Sequence, residues 1–512
     1  MEQLFSNVQT LHPEVAVLVA AFMATLWNLF FPRAKEITPY ICIAALIGAI
    51  VLFCQQWGPI GTSEVKLFLG LFTVDRLTIA TGIVSSIVGI IVVLMTMGYE
   101  RHIGSNRGEF YAILMVAILS VMLLGGSTDL IMLFVAMETL TLCCVMLSGF
   151  EKRDRKSNEA ALKYLLSTAA TTATFLYGLS FLYGITRSTN FYDIQPAFYG
   201  LAQSASLVLV AVLVLLISVV GFKLSMVPFH MWTPDVYEGS PTPVGAFLSI
   251  GSKLGGLVVG IRLLSVVFQQ MSPDWTSVVG ALAILSMIMG NIIALSQRSL
   301  KRMLAYSSIA HVGYMLIGLV VNTADGLQSM WFYIMVYGLM NLGAFTGAVL
   351  FQNETGTDDI DAMSGLVKKR PWLCLGLTIC LLNLAGLPIP PAGFLAKFFV
   401  FWSGIQMASM LGYLMVGVAL VTSVPAIYYY TRVCIKMIVR DPSEAVKALP
   451  DQRRPQPDPQ EAPMLALAIA VAGIIAGSFL VTPLMNFAGS AVAPATIRPP
   501  SIGSVQSETQ PQ

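Results

Sequence analysis

Charge is scarce in this chain. Only 11% of its 512 residues are Asp, Glu, Lys or Arg, against 56% hydrophobic, about half the charged fraction of an ordinary soluble domain. That shortage, with apolar stretches of membrane-crossing length recurring from end to end, excludes a soluble enzyme. The formal net charge of +2 is too small to call for nucleic acid or another polyanion, and no basic run lies in a soluble stretch. The expected surroundings are lipid and other protein. The seven cysteines and four histidines include no C-x-x-C spacing and no cluster that would complete a metal site. The cysteines read as small buried apolar residues. A Gly-rich nucleotide fingerprint, an iron–sulfur cysteine pattern and a flavin site are also missing, so no cofactor is assigned to this chain. No Lys or Arg precedes Arg33. The positive flank of a cleaved signal peptide is therefore absent, and Glu14 to Phe31 reads as a retained span.

What is present is an all-α integral membrane pattern. Cutting the apolar runs at polar loops predicts fourteen spans, centred near residues 22, 47, 84, 118, 139, 172, 220, 254, 285, 311, 340, 387, 422 and 473. Of the 29 Lys and Arg, 19 fall in odd-numbered loops and 5 in even-numbered loops and tails, Arg262 and Arg498 among them. Cytoplasmic loops hold such an excess, so odd loops are expected in the cytoplasm and both termini on the opposite side. The expected organisation is residues 1–104 for spans 1 to 3, 105–268 for spans 4 to 8, 269–440 for spans 9 to 13, 441–462 for a polar loop, 463–486 for span 14 and 487–512 for a disordered tail.

Two spans are broken. In GFKLSMVPFHMW, Gly221 to Trp232, Pro228 removes an amide donor and leaves the carbonyl of Leu224 without its helical partner, and in lipid such a group must find protein or water. In LAGLPIPPAGFLAKFF, Pro388, Pro390 and Pro391 with Gly386 and Gly393 break the twelfth span, and Lys397 follows. Each break falls in the fourth member of a five-span block, spans 4 to 8 and 9 to 13. An odd number of spans inverts one block relative to the other, and paired interruptions of this kind point to a transport site at an inverted-repeat interface. The correspondence is positional, because the lysine precedes the first break and follows the second.

Glu138, Lys223 and Lys253 lie deep in the fifth, seventh and eighth spans. An ionisable group there costs on the order of 3 kcal/mol, so three at similar depth are expected to pair or to be hydrated. A pair such as Glu138 and Lys223 could exchange protons; it could also be a static ion pair that fixes helix register. Several lysines sharing one deep carboxylate favour the switching form. Lys163 stands four residues after Glu159, a spacing that also permits a surface pair. His311, central in the tenth span, is either a proton relay or a hydrogen-bonded packing histidine, and His230, just past the first break, has the same two readings. Asp235 and Glu238 in TPDVYEGSPTP read as part of a structural connection.

The stretches GFKLSMVPFHMWTPDVYEGSPTPV, SQRSLKRMLAYSSIAHVGYMLIG and GLPIPPAGFLAKFFVF carry a resemblance to the antiporter-like membrane subunits of complex I, the proton-pumping NADH:quinone oxidoreductase. TPDVYEGSPTPV with KYLLSTAA and KRMLAYSSI is similar to the subunit 2 (subunit N) branch of cyanobacteria and chloroplasts. It extends from about Phe72 to Tyr430. The resemblance implies fourteen transmembrane helices, two five-helix inverted half-channels and a hydrated axis, with the family's buried groups falling on Glu138, Lys163, Lys223, Lys253 and Lys397, and less firmly on His311. Lys397 fits the branch with lysine, rather than glutamate, in the broken twelfth helix. It further implies a thylakoid complex that takes electrons from ferredoxin or a pyridine nucleotide to plastoquinone, with iron–sulfur clusters, and flavin where present, in other subunits. The function expected is proton translocation driven by quinone reduction elsewhere in the assembly. A stand-alone cation/proton antiporter and a purely structural scaffold are the competing readings.

Overall fold

A computed structural model describes residues 10–31, 34–60, 64–104, 106–201, 206–450 and 460–496. Among these, only two short antiparallel strands, Val65–Leu67 and Phe72–Val74, interrupt an otherwise helical chain. Among the described residues, thirteen helices are long and apolar enough to cross a membrane. The broken twelfth span, Pro371–Ala385 followed by Ala392–Gln406, brings the number to the expected fourteen and keeps their order.

Short polar side chains fix where several spans begin, because the first amides of a helix have no intrahelical acceptor. Asp75 accepts from the amide of Thr78 at 2.9 Å ahead of the third span, Arg76–Ile103. Asp129 accepts from Ile131 at 2.8 Å ahead of the fifth, Leu130–Ser148. Asp154 accepts from Lys156 at 3.1 Å ahead of the sixth, Arg155–Thr186. Ser299 and Ser409 do the same for the tenth, Leu300–Val321, and the thirteenth, Met410–Val439.

The eighth span, Thr242–Val267, is buried along its whole apolar length, and the tenth and eleventh (Ala324–Thr355) nearly so. Around them the fifth and sixth spans turn large side chains outward, Ile131, Val135, Leu142, Leu162 and Leu166 among them. An interior of three spans with little outward surface can keep polar atoms away from lipid.

Three features differ from the expectation. Arg262 is no loop residue; the eighth span continues past it through π-helical turns at Ile261–Val267, and its guanidinium is buried against Asp75 at 2.8 Å and the carbonyl of Gly125 at 2.7 Å. Lys301, one of the 19 Lys and Arg counted in odd-numbered loops, is buried in the first turn of the tenth span. The last span ends at Phe479, and a further helix, Val481–Thr496, occupies ten residues expected as tail. That helix is held by Phe487 against Trp57, with ring centroids 4.7 Å apart, and by Gln328 donating to the carbonyl of Met485 at 2.7 Å. The rest of the expected tail, residues 451–459 of the polar loop, and Arg33 and Arg498 lie outside the described residues.

Candidate functional site

The first break is closed locally rather than left open. The seventh span, Ser206–Leu224, ends with Ser225 in the left-handed region (φ 62°). The amide of Ser225 donates to Phe222 and that of Met226 to Gly221, at 3.1 and 2.7 Å, the paired bonds of a Schellman closure. The second break is built the same way. Gly386 (φ 85°) donates to Asn383 and Leu387 to Leu382, at 2.9 and 3.0 Å. Gly386 is required twice over, since its φ suits glycine and a Cβ there would stand 2.9 Å from the Lys397 side chain.

Lys223 lies in the last turn before the first break, 4% exposed, and donates to the Thr141 hydroxyl of the fifth span. Glu138, one turn from Thr141 on the same helix face, accepts from Thr172 of the sixth span at 2.8 Å. Glu138 and Lys223 therefore do not form the direct pair that their depth suggested. Thr141 takes the ammonium instead, and among the described residues Lys223 forms no ion pair.

Lys253 follows a π-helical turn, Leu248–Ser252, that re-aims the eighth span. It is fully buried and donates to Ser308 of the tenth span. Around it stand buried hydroxyls on Tyr164, Tyr237, Ser252 and Tyr337 that lack a well-formed hydrogen bond, with Tyr164 facing Ser252 and both Tyr237 and Tyr337 facing Ser308. Tyr164 stacks on Trp232 with ring centroids 4.6 Å apart, and the ring of Tyr337 lies 4.8 Å from that of His311. Leaving one such group unsatisfied costs about 1–3 kcal/mol, and ordered water is the usual partner for polar groups in a buried site of this kind.

His311 is buried with tyrosine hydroxyls at both ring nitrogens, Tyr333 at 2.8 Å from Nδ1 and Tyr430 at 3.3 Å from Nε2. It lies within electrostatic reach of both Lys253 and Lys397. Lys397, 6% exposed, donates to the carbonyl of Ala385 at 2.9 Å and sits 5.3 Å from the ring centre of Tyr314. Lys223, Lys253, His311 and Lys397 thus share one buried interior, with Glu138 at its half-buried edge.

Two of the candidates stand apart. Lys163 is a surface residue, its side chain 44% exposed, bridging Glu159 at 2.9 Å and Asp235 at 2.8 Å. His230 is buried beyond the first break with no hydrogen bond to any member of the line and with Nδ1 unpartnered. The tyrosines carry no functional signal in the sequence. Tyr333 and Tyr337 share an i, i+4 face of the eleventh span, a spacing that reads equally as core. Asp235, expected as part of a structural connection, joins Lys163 to Arg302, which lies 3.0 Å from it. Burial pushes the Asp235 carboxyl up, but Lys163 and Arg302 more than offset that and hold it below the ordinary carboxylate range.

Residues 127–423, which include all seven candidates, match the family described as NADH:quinone oxidoreductase/Mrp antiporter, transmembrane. The chain belongs to that family. Within this quinone oxidoreductase/Mrp antiporter family, it is 44% identical over 497 residues to NAD(P)H-quinone oxidoreductase subunit 2 of Trichodesmium erythraeum (strain IMS101), covering 95% of this chain and 92% of the relative. A chain in the structure of respiratory complex I from Thermus thermophilus with bound aureothin aligns at 28% identity and a TM-score of 0.72, over 92% of this chain and 98% of that one. A chain of the Mrp complex from Dietzia sp. DQ12-45-1b aligns at 18% identity and a TM-score of 0.82, over 96% and 98%. At that identity the Mrp likeness speaks to the fold alone.

Proposed function

We propose that this chain is the proton-translocating, subunit 2-like membrane component of a complex I-like NAD(P)H-quinone oxidoreductase. Kinship to a subunit of that name supports the assembly, and one structural observation supports the transport role. Among the described residues, Lys223, Lys253, His311 and Lys397 are all buried without a salt-bridged carboxylate, and hydroxyls of Tyr164, Tyr237, Ser252 and Tyr337 that lack well-formed hydrogen bonds are buried with them. An uncompensated ammonium in such surroundings is expensive, whereas a neutral amine beside hydrated hydroxyls is not. The line therefore favours lysines that gain and lose protons.

In this reading a proton on Glu138 weakens its hold on the Lys223 ammonium, and Lys223 Nζ releases its proton through water at Tyr164 and Ser252 to Lys253 Nζ. Ser308 and Tyr337 carry it to His311, whose ring can accept at one nitrogen and donate from the other, and Lys397 Nζ receives it beside the second break. Quinone reduction in another subunit supplies the electrostatic push near Glu138. That carboxylate is half-buried on a face whose neighbours Ile131, Val135 and Leu142 point outward, a setting suited to an adjoining membrane subunit rather than bare lipid. Redox centres, iron–sulfur clusters with or without flavin, are assigned to partner subunits, and the acceptor to the plastoquinone pool. Spans 4 to 8 and 9 to 13 are assigned as inverted halves, and the membrane as a cyanobacterial thylakoid with both termini lumenal.

The test is Lys223→Ala in the assembled complex, sealed in vesicles, with protons moved per electron delivered to quinone as the readout. A severalfold fall is expected. An unchanged ratio rejects the assignment.

A further inference from the structure

Two threonines stand between Glu138 and Lys223. Thr172 of the sixth span donates to the Glu138 carboxylate at 2.8 Å, and Thr141 of the fifth span accepts from Lys223. Glu138 and Thr141 lie three residues apart on one helix face, so the lysine has a charged acceptor within one turn and bonds to a neutral one instead. A charged acceptor makes roughly twice the bond that a neutral one does. Bond strength alone therefore does not select Thr141.

The Thr141 hydroxyl is also committed. Thr141 is 3% exposed and donates its single proton to the carbonyl of Met137, four residues earlier, at 2.7 Å. A carbonyl only accepts, so that proton has no onward route, and the oxygen offers Lys223 lone pairs alone. Ser308 of the tenth span, the partner of Lys253, differs. It too is buried, but among the described residues it makes no hydrogen bond to a carbonyl of its own helix, and it faces the hydroxyls of Tyr237 and Tyr337. Its neighbour Ser307 does bond back, to Leu304 at 2.8 Å. A hydroxyl free of its helix can accept from an ammonium and donate to the next oxygen, which a relay requires.

We propose that Thr141 is a positioning residue that holds the Lys223 ammonium off Glu138 and takes no part in carrying its proton onward, a role that rests on the translocation reading above. Held apart in this way, Glu138 acts on Lys223 through space, and a change of charge on the carboxylate alters how firmly the ammonium keeps its proton. In direct contact the two would form a buried pair that fixes the helices in register and stops exchange. Thr172 completes the separation by tying the carboxylate to the sixth span.

The experiment measures protons moved per electron in sealed vesicles for the assembled complex carrying Thr141→Val, Thr141→Ser, Glu138→Gln, Thr141→Val together with Glu138→Gln, and Lys223→Ala. Valine keeps the shape and removes the acceptor, which releases Lys223 to Glu138, and the ratio is expected to fall severalfold. Serine keeps the hydroxyl and its bond to Met137 and should retain most of the native ratio. Glu138→Gln should lower the ratio in the native background, through loss of the push on Lys223. In the Thr141→Val background it removes the carboxylate that traps Lys223 and should raise the ratio about twofold or more, the lower end of the coupling between neighbouring residues. A native ratio for Thr141→Val, or a Glu138→Gln effect of the same sign in both backgrounds, overturns the inference, because a threonine that only packs leaves that sign unchanged. If Lys223→Ala pumps as the native complex does, the translocation role itself fails. Should Thr141→Val not assemble, Thr141→Ala, which also lacks the acceptor, is read against Glu138→Gln in the same way.

Discussion

Six lysines and histidines of similar sequence appearance have different tasks because their surroundings differ. Lys253 is fully buried with one hydroxyl partner, so a permanent charge there would be costly. Lys253→Met, which keeps the apolar stem and removes the titrating end, should lower the proton-to-electron ratio at least tenfold, and Lys253→Arg should fail as well, because a guanidinium does not give up its proton. Measuring both variants in the same vesicles checks this; activity in the Arg variant would show that charge, not exchange, is what the position needs. Lys163 is the contrast. Its two ion pairs are partly exposed and worth about 0.2–1 kcal/mol each, so Lys163→Ala should reduce the ratio less than about fivefold and more weakly as salt rises. Asp235 is held below its ordinary range. A depressed carboxylate keeps its ties at all pH above its ordinary value and loses them only as pH falls through the folded value, so the Lys163→Ala effect should be the same in mildly acidic and mildly alkaline buffer. The Lys163 to Glu159 spacing was legible in sequence. Its second partner, 72 residues away, was not, because nothing local announces a tertiary ion pair.

The two breaks show how an element can be interrupted at membrane depth without stranding its backbone. Each half-helix ends on a left-handed residue, Ser225 or Gly386, and turns its last amides back on its own carbonyls. Gly386→Ala should therefore do double damage. Forcing the left-handed conformation costs about 1–2 kcal/mol, and the added carbon presses on Lys397. A thermal-unfolding shift together with a lower proton-to-electron ratio is expected; a shift with native pumping would separate stability from the path. The prolines and glycines made both breaks visible in the sequence. What they could not reveal was the closure, since Ser225 carries no signal of positive φ. The eighth span was misread at its end because Arg262 looks like a loop residue until its partner Asp75, 187 positions earlier, is folded against it. The helix Val481–Thr496 was missed because its small residues and prolines resemble a tail, and the ring of Trp57 that receives Phe487 is remote in sequence.

At the scale of the whole molecule, fourteen spans were countable because each crossing needs about twenty apolar residues and the loops between them collect the charge. The deep lysines were legible because ionisable groups are rare in such runs. The hydroxyls that join them were not, since Tyr and Ser inside a span carry no mark of whether they pack, bond or hold water. That distinction decides among the competing readings. A scaffold would have dry, saturated pairs at its centre, whereas Tyr164, Tyr237, Ser252 and Tyr337 are buried without well-formed hydrogen bonds. The most direct measurement is a high-resolution experimental map of the native complex in its membrane-like surround, inspected for solvent between Lys223 and Lys397. The account predicts ordered water within hydrogen-bond distance of the Tyr164, Ser252 and Ser308 hydroxyls, joining Lys223 to Lys253 and onward to His311. A dry interior, with those hydroxyls turned onto protein acceptors and the lysines locked in fixed pairs, would contradict it.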